Sequence, residues 1–393
     1  MPLSHAHVIL ALLFTTSRAQ TSNPNDDSII EVAPPSSSTF RTEPQQVEVE
    51  LDFETAHFDE TTRLLQLVSP TEIHIIVMHE SHLPSDFRTF HFSSQNGLKE
   101  EHLPLDDAMS WEGTDGDVHV LVQGEQVTVV RHNKAQTMLL KGHASLLGAP
   151  TPSSDTDVHN GCITVRLPPD IGRHDDDLLH TDKHTSNLNL LQTGRNITWG
   201  ILLVSDVQRL TLYSRAEAAS RAARNVQRAN FLWMTQNWPQ DTTVTLRAVA
   251  HISRDEELYG PNDDGNWRRL RNSNDVNDLV IAIATWNRQD PALQQARRDG
   301  TLRYDALHVL SGYRFPEGIV GVAVLNSIST LDAVAALGFP RSFLSESEEG
   351  SVLAHEFGHQ VGFSHDQEDG DSCPAGKYIM SPTLVSNIME FSD

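Results

Sequence analysis

Two cysteines, Cys162 and Cys373, are all that 393 residues contain. That excludes a fold held together by a disulfide framework. Basic residues are scarce as well: 29 Lys and Arg stand against 53 Asp and Glu, for a formal net charge of −24. A surface of that sign repels phosphate backbones and anionic bilayers, so nucleic acid is excluded as a partner. Long apolar runs are missing too. No segment beyond the N-terminus approaches the roughly 20 apolar residues that a bilayer span requires, so no membrane span is expected in this chain. Apolar residues still make up 38%, enough for globular cores, and the length points to about two domains.

The first apolar cluster is short and terminal. His7-Val-Ile-Leu-Ala-Leu-Leu-Phe14 leads into Ser17-Arg-Ala19, which supplies small residues at the −3 and −1 positions of a cleavage site. Residues 1–19 therefore read as a secretory signal peptide, and the product is expected to be secreted, extracellular and monomeric. Gln20 to about Gln45, rich in Ser, Pro, Asn and Asp, reads as a disordered start. Between Val47 and Leu147, runs such as Glu72–Met78, Asp117–Val122 and Gln126–Val130 predict short strands of an all-β module. Ala149 to Asn160 reads as a loop, and the charged, His-rich Arg173 to His184 as a solvated linker.

The composition changes near Asn196. From there on, 25 acids face 17 bases, a balance of −8, whereas the preceding residues hold 28 against 12, or −16. Trp199–Ser205, Thr242–Ile252, Ala306–Leu310 and Ile319–Leu325 predict strands. Ala216–Asn237, Asn274–Asn287 and Ser351–Val361 predict helices. Strands alternating with helices give an α/β layer domain over 196–393, preceded by a β-rich segment over 20–195. Asn196-Ile-Thr198 is the one N-glycosylation triplet, and its position between the two segments suggests an exposed linker. Arg221-Ala-Ala-Arg224 and Arg268-Arg-Leu-Arg271 read as surface charge rather than processing sites.

The chemistry is concentrated in Ala354-His-Glu-Phe-Gly-His-Gln-Val-Gly-Phe-Ser-His-Asp366. His355 and His359, four residues apart on one helix, present both imidazoles on one face and can share a metal ion. Gly362 can adopt the left-handed conformation that ends a helix, which turns the chain and returns His365 as a third ligand. Three nitrogens leave the fourth position of a tetrahedral zinc open, the arrangement of a catalytic site. Glu356 lies one residue along from the first ligand and is the candidate general base. Zinc-bound water would attack a peptide carbonyl while Glu356 takes its proton and then passes it to the leaving amine.

HExxHxxGxxH followed downstream by Met380 matches the metzincin pattern. From about Thr198 to Asp393 the chain resembles the adamalysin branch, also called reprolysin or ADAM-type, of those zinc metalloproteases. Asp366 after the third histidine and the turn Gly376-Lys-Tyr-Ile-Met-Ser-Pro382 carry the likeness. The resemblance implies a metzincin-type α/β fold, a mixed twisted sheet with long helices, and endopeptidase activity on peptides or proteins. It also implies that Met380 floors the site, that Asp366 anchors the helix end, and that substrate pairs with an edge strand within Gly318–Val324. A structural calcium ion, with Asp305 as candidate ligand, is a further implication. Cys373 alone stands where relatives hold two or three disulfides, and Glu390-Phe-Ser-Asp393 resembles the start of a segment that continues in relatives.

By position, residues 20–195 resemble a propeptide that would make the chain a zymogen. Cys162 lies where relatives carry a latency cysteine that fills the open zinc position. A disulfide with Cys373 and an inert buried thiol are the alternatives. An inert protease-like binding module and a zinc hydrolase of non-peptide substrates compete as functions; the intact Glu356 argues against the first.

Overall fold

The structure is a computed structural model that describes residues 55–59, 62–68, 73–105, 108–115, 118–123, 126–131, 161–165, 196–236, 238, 242–259, 270, 272–316, 318–339, 344, 346–366 and 378–382. The expected signal peptide, the segments 20–45, 149–160, 173–184 and 268–271 (Leu270 apart), Cys373 and the last residues lie outside the described residues.

Two sheets form. Strands β1 (Thr55–Asp59), β2 (Leu64–Val68), β3 (Ile73–His82), β6 (Ala108–Asp115), β7 (Val118–Gln123) and β8 (Gln126–Arg131) make an antiparallel six-stranded sheet in that order. Its alternating inward residues, among them Leu65, Leu67, Ile76, Met78, Val120 and Val129, bury a small core of their own. The second sheet has eight strands. Its centre is β11 (Thr243–Arg254), β10 (Asn196–Ser205), β12 (Ala306–Arg314) and β14 (Val334–Phe339), all parallel, followed by antiparallel β13 (Ile319–Val324).

Residues before 196 extend this sheet at both edges. The hairpin β4 (Arg88–Ser93) and β5 (Gly97–Glu101) adds to β11, with β4 parallel to it. Strand β9 (Gly161–Val165) adds parallel to β13. Neither extension, nor β14, was legible as part of this sheet, because strand pairing over such separations leaves no periodic trace in one sequence. Asn196 opens β10 and its side chain accepts from Thr243 Oγ1 at 2.5 Å, so it is an exposed strand start and not a linker residue.

Helices α1 (Val207–Leu210), α2 (Arg215–Met234), α3 (Ser273–Gln289), α4 (Pro291–Arg298) and α5 (Glu346–Val361) complete the fold. Ser214 caps α2, accepting from the backbone N–H of Glu217, and Asn272 does the same for α3. Along β10 the side chains divide between faces: Ile201 and Leu203 join α2 and α5, while Leu202 and Val204 join α3 and α4. The sheet is thus covered on both sides, the reason its parallel strands are nearly continuously apolar. Arg221 and Arg224 are not loose surface charge. They pair with Glu346 and Glu349 and tie α2 to the start of α5.

His251, on β11, is wholly buried with Nε2 2.9 Å from Ser205 Oγ. Burial, reinforced by Arg209, lowers its pKa to about 3. The unfolded chain therefore binds this proton near pH 6.5 and the native chain does not. Stability should fall as pH drops through that window, by about 2 kcal/mol between pH 7 and pH 5 for this one group. In urea unfolding, His251→Gln should remove that share of the pH dependence; an unchanged slope would show that the assignment is wrong.

Candidate metal centre

Helix α5 runs through the core between α2 and the sheet, and both its ends are fixed. Near its start, Glu349 is buried and accepts two hydrogen bonds from Arg209, at 2.7 and 2.9 Å, and one from Asn225 at 2.8 Å. Along its length, Phe357 packs on Trp199 and Trp233, with ring centroids 5.4 and 5.3 Å away. Trp233 also donates to the carbonyl of Ala354. At its end Gly362 has φ +120, and the N–H groups of Gly362 and Phe363 close back on His359 and Gly358 at 3.0 and 2.9 Å. This is a Schellman turn, and glycine is needed because a side chain disfavours that φ.

The turn brings His365 onto the two helical histidines. The ring centroids of His355, His359 and His365 lie 4.6, 5.2 and 4.6 Å apart, and all three are buried. One nitrogen from each lies within 4.8 Å of the others. The Nδ1 atoms of His355 and His359 are engaged elsewhere: they donate to the carbonyls of Ile379 at 2.6 Å and Phe363 at 2.7 Å. Those bonds set the tautomer and leave Nε2 as a lone-pair donor. Among the described residues the buried His355 Nε2 meets no hydrogen-bonding partner, and the Nε2 atoms of His359 and His365 are 3.1 Å apart. Tetrahedral zinc with nitrogens at about 2.05 Å would space them at roughly 3.4 Å. Burial, with His365 second, lowers the pKa of His355 to about 3 and pushes that of His359 well down. Neutral imidazoles result, the form that binds metal.

Glu356 is fully buried, and burial raises its pKa. Among the described residues no nitrogen or oxygen partner meets its carboxylate. Its polar neighbour is the thiol of Cys162, and a metal-ligating atom from each of Cys162, His355 and Glu356 falls within 4.8 Å of the others. Cys162 is a buried free thiol on β9, paired opposite Gly321 of β13. Its N–H donates to the carbonyl of Pro382 at 3.3 Å, and burial pushes its pKa up. Met380 and Asp366 are buried beside the group, and the Asp366 N–H donates to the Met380 carbonyl at 3.0 Å. Asp305 stands apart. Its carboxylate accepts from Gly200 N–H at 2.8 Å and from the Ser329 hydroxyl at 3.1 Å. Among the described residues it joins no cluster of metal-ligating side chains.

One determinant escaped the sequence reading. A Cβ at Gly321 would lie 2.2 Å from Glu356 Oε1, so β13 can approach α5 this closely only through a glycine. The signal was available: an isolated glycine inside an apolar strand marks close approach of another group. Gly321→Ala should destabilise the fold by about 1–3 kcal/mol through overpacking. The loss should shrink when Glu356 is also replaced by Ala. Equal losses in both backgrounds, measured by denaturant unfolding, would place the clash elsewhere.

Residues 199–392 match the family model Reprolysin_5, Metallo-peptidase family M12. Two curated relatives, the zinc metalloproteinase-disintegrin-like brevilysin H2a and brevilysin H2b of Gloydius brevicauda, are each 26% identical over 112 residues. Those residues are 28% of this chain and 24% of theirs, so the chain spans about a quarter of the relatives' length. A solved structure described as a chaperone-substrate complex aligns with a TM-score of 0.35 at 18% identity, over 49% of this chain and 28% of that one.

Proposed function

We propose, for a chain whose residues 199–392 belong to the reprolysin-type M12 metallopeptidases, a secreted zinc endopeptidase made as a zymogen, with a metzincin-type catalytic fold. Membership of that family implies a zinc ion, and the histidine group fits one. The observation that carries the reading is the convergence of three buried imidazoles, two with the outer nitrogen already engaged, beside a buried carboxylate.

In this reading His355, His359 and His365 hold the metal, which when bound supplies Lewis acidity toward a water and a peptide carbonyl. Glu356 takes a proton from the attacking water as the new C–O bond forms. It then delivers that proton to the peptide nitrogen as the C–N bond breaks. Met380 and Asp366 keep the wall of the site in position through the Asp366–Met380 backbone bond. An extended peptide would add to the edge of β13 through backbone hydrogen bonds.

Glu356→Gln should keep one zinc per chain by metal analysis while peptide cleavage falls by roughly 10²–10⁴-fold. The rates are compared in chains that also carry Cys162→Ala, and a Glu356→Gln chain that cleaves a responsive peptide as fast as its Cys162→Ala parent would sink the general-base role. In the same Cys162→Ala background His359→Ala should lose both zinc and cleavage, and a chelator should abolish the cleavage of a chain in which His359 is intact.

The zymogen reading rests on β9. It occupies the β13 edge that substrate would need, and it sets Cys162 against Glu356 and His355. The intact chain should therefore be nearly inactive, and Cys162→Ala should raise peptide cleavage about tenfold or more, which is at least 1.4 kcal/mol of relieved inhibition. If Cys162→Ala leaves the intact chain as silent as before, the thiol is an inert buried group.

A further inference from the structure

The segment that precedes residue 196 touches the rest of the chain in a second area, remote from the three histidines. Strand β4 pairs with β11 on the opposite edge of the eight-stranded sheet from β9, with Ala250 to Arg254 aligned to Arg88 to Phe92. The contact is not confined to backbone. Phe90 and Phe92 of β4 are 2% and 3% exposed and belong to the same core as Leu202, Ile252, Val276 and Trp286. Phe92 meets Trp286 edge-on at 5.3 Å, and the Arg254 guanidinium lies over both rings. At the rim Arg215, at the start of α2, bonds Glu101 of β5 at 2.6 Å and Asp255 at 3.1 Å. The six-stranded sheet continues the contact along α2. Thr128 of β8 accepts from the buried Arg228, Gln123 of β7 donates to the carbonyl of Arg224, and Leu121 and Val130 sit in the core that carries α5.

This is the composition of a domain core rather than of a removable cover. Taking β4 away would expose the edge of β11, which is a site for wrong pairing. It would also open the α3-side core where two phenylalanines now fill it. We propose that this distal area is a latch: it holds the module of residues 55–131 on the remainder of the chain by itself, whether or not β9 occupies the site, so that the module stays bound as a separate subunit once the intervening chain is cut. Attachment and inhibition are then separate properties of one N-terminal segment, the first residing in β4 and β8 and the second in β9. The latch does not rest on the proteolytic reading, because nothing in it involves the histidine group.

The test cuts the chain between the two. A recognition sequence for a site-specific protease is inserted within residues 136–156 of the full chain, so that after cleavage β9 remains covalently joined to the catalytic segment and cannot hold the module. The two fragments should co-elute on size exclusion, in 0.15 M and in 1 M salt alike, since the contact is largely apolar. Separate elution of the cut, otherwise unaltered fragments overturns the proposal. Phe92→Asp should release the module after cutting, and continued co-elution of that variant also overturns it. Should Phe92→Asp fail to fold uncut, the partly exposed pair serves in its place: Arg215→Glu should shift fragments toward separate elution at low concentration, and Glu101→Arg added to it should reverse the shift. Indifference of co-elution to both changes would place the attachment elsewhere and overturn the latch.

Discussion

Everything at the centre depends on holding helix α5 at one register along its axis. Three imidazole nitrogens converge only if the helix neither slides nor rotates, and a shift of one residue would turn His355 and His359 by about 100°. Three contacts prevent that. Glu349 is locked by Arg209 and Asn225 at one end, the Schellman turn at Gly362 closes the other, and Gly321 lets β13 press directly against Glu356 between them. A buried ion pair is weak evidence for stability, because desolvation offsets its Coulomb gain. Its value here is positional: a bidentate guanidinium–carboxylate contact tolerates little displacement.

The hydrogen bonds outside the histidine group matter as much as the group. Ile379 and Phe363 contribute only carbonyl oxygens, yet those oxygens decide which nitrogen of His355 and His359 faces inward. Ile379 belongs to the same short turn as Met380 and Pro382. That turn accepts the Asp366 N–H at one point and the Cys162 N–H at another. It therefore joins the helix end, the third histidine and β9 through backbone bonds alone.

The division between one segment and the next is less clean than the change of composition near Asn196 suggests. The acidic N-terminal half contributes three strands to the sheet that carries the site, and side chains to both of its cores. Its own six-stranded sheet leaves Ile73, Ile75 and Val77 exposed in a row on β3, while Leu121 and Val130 are spent on the neighbouring core. As a result β11 and β13 both gain partners, and β5 and β9 become the outermost strands of the eight-stranded sheet. That pairing satisfies backbone groups of β11 and β13 that would otherwise be open to wrong pairing.

By itself the sequence determined what is local. The i, i+4 histidines, the glycine that ends their helix and the return of His365 follow from helical geometry and the φ preference of glycine. The amphipathic and apolar runs likewise revealed α2, α3, β10, β11, β12 and β13 to within a few residues, though α5 begins five residues earlier than its motif suggests. Tertiary structure decided what is distant. That β9 lies on β13 with Cys162 beside Glu356, that β4 completes the opposite edge, and that Arg221 and Arg224 pair with Glu346 and Glu349 are outcomes of contacts more than 100 residues apart in the chain. Backbone pairing is nearly indifferent to side-chain identity, and an ion pair is written in a sequence only as two charges. Such contacts are therefore chosen by the packing of the whole chain.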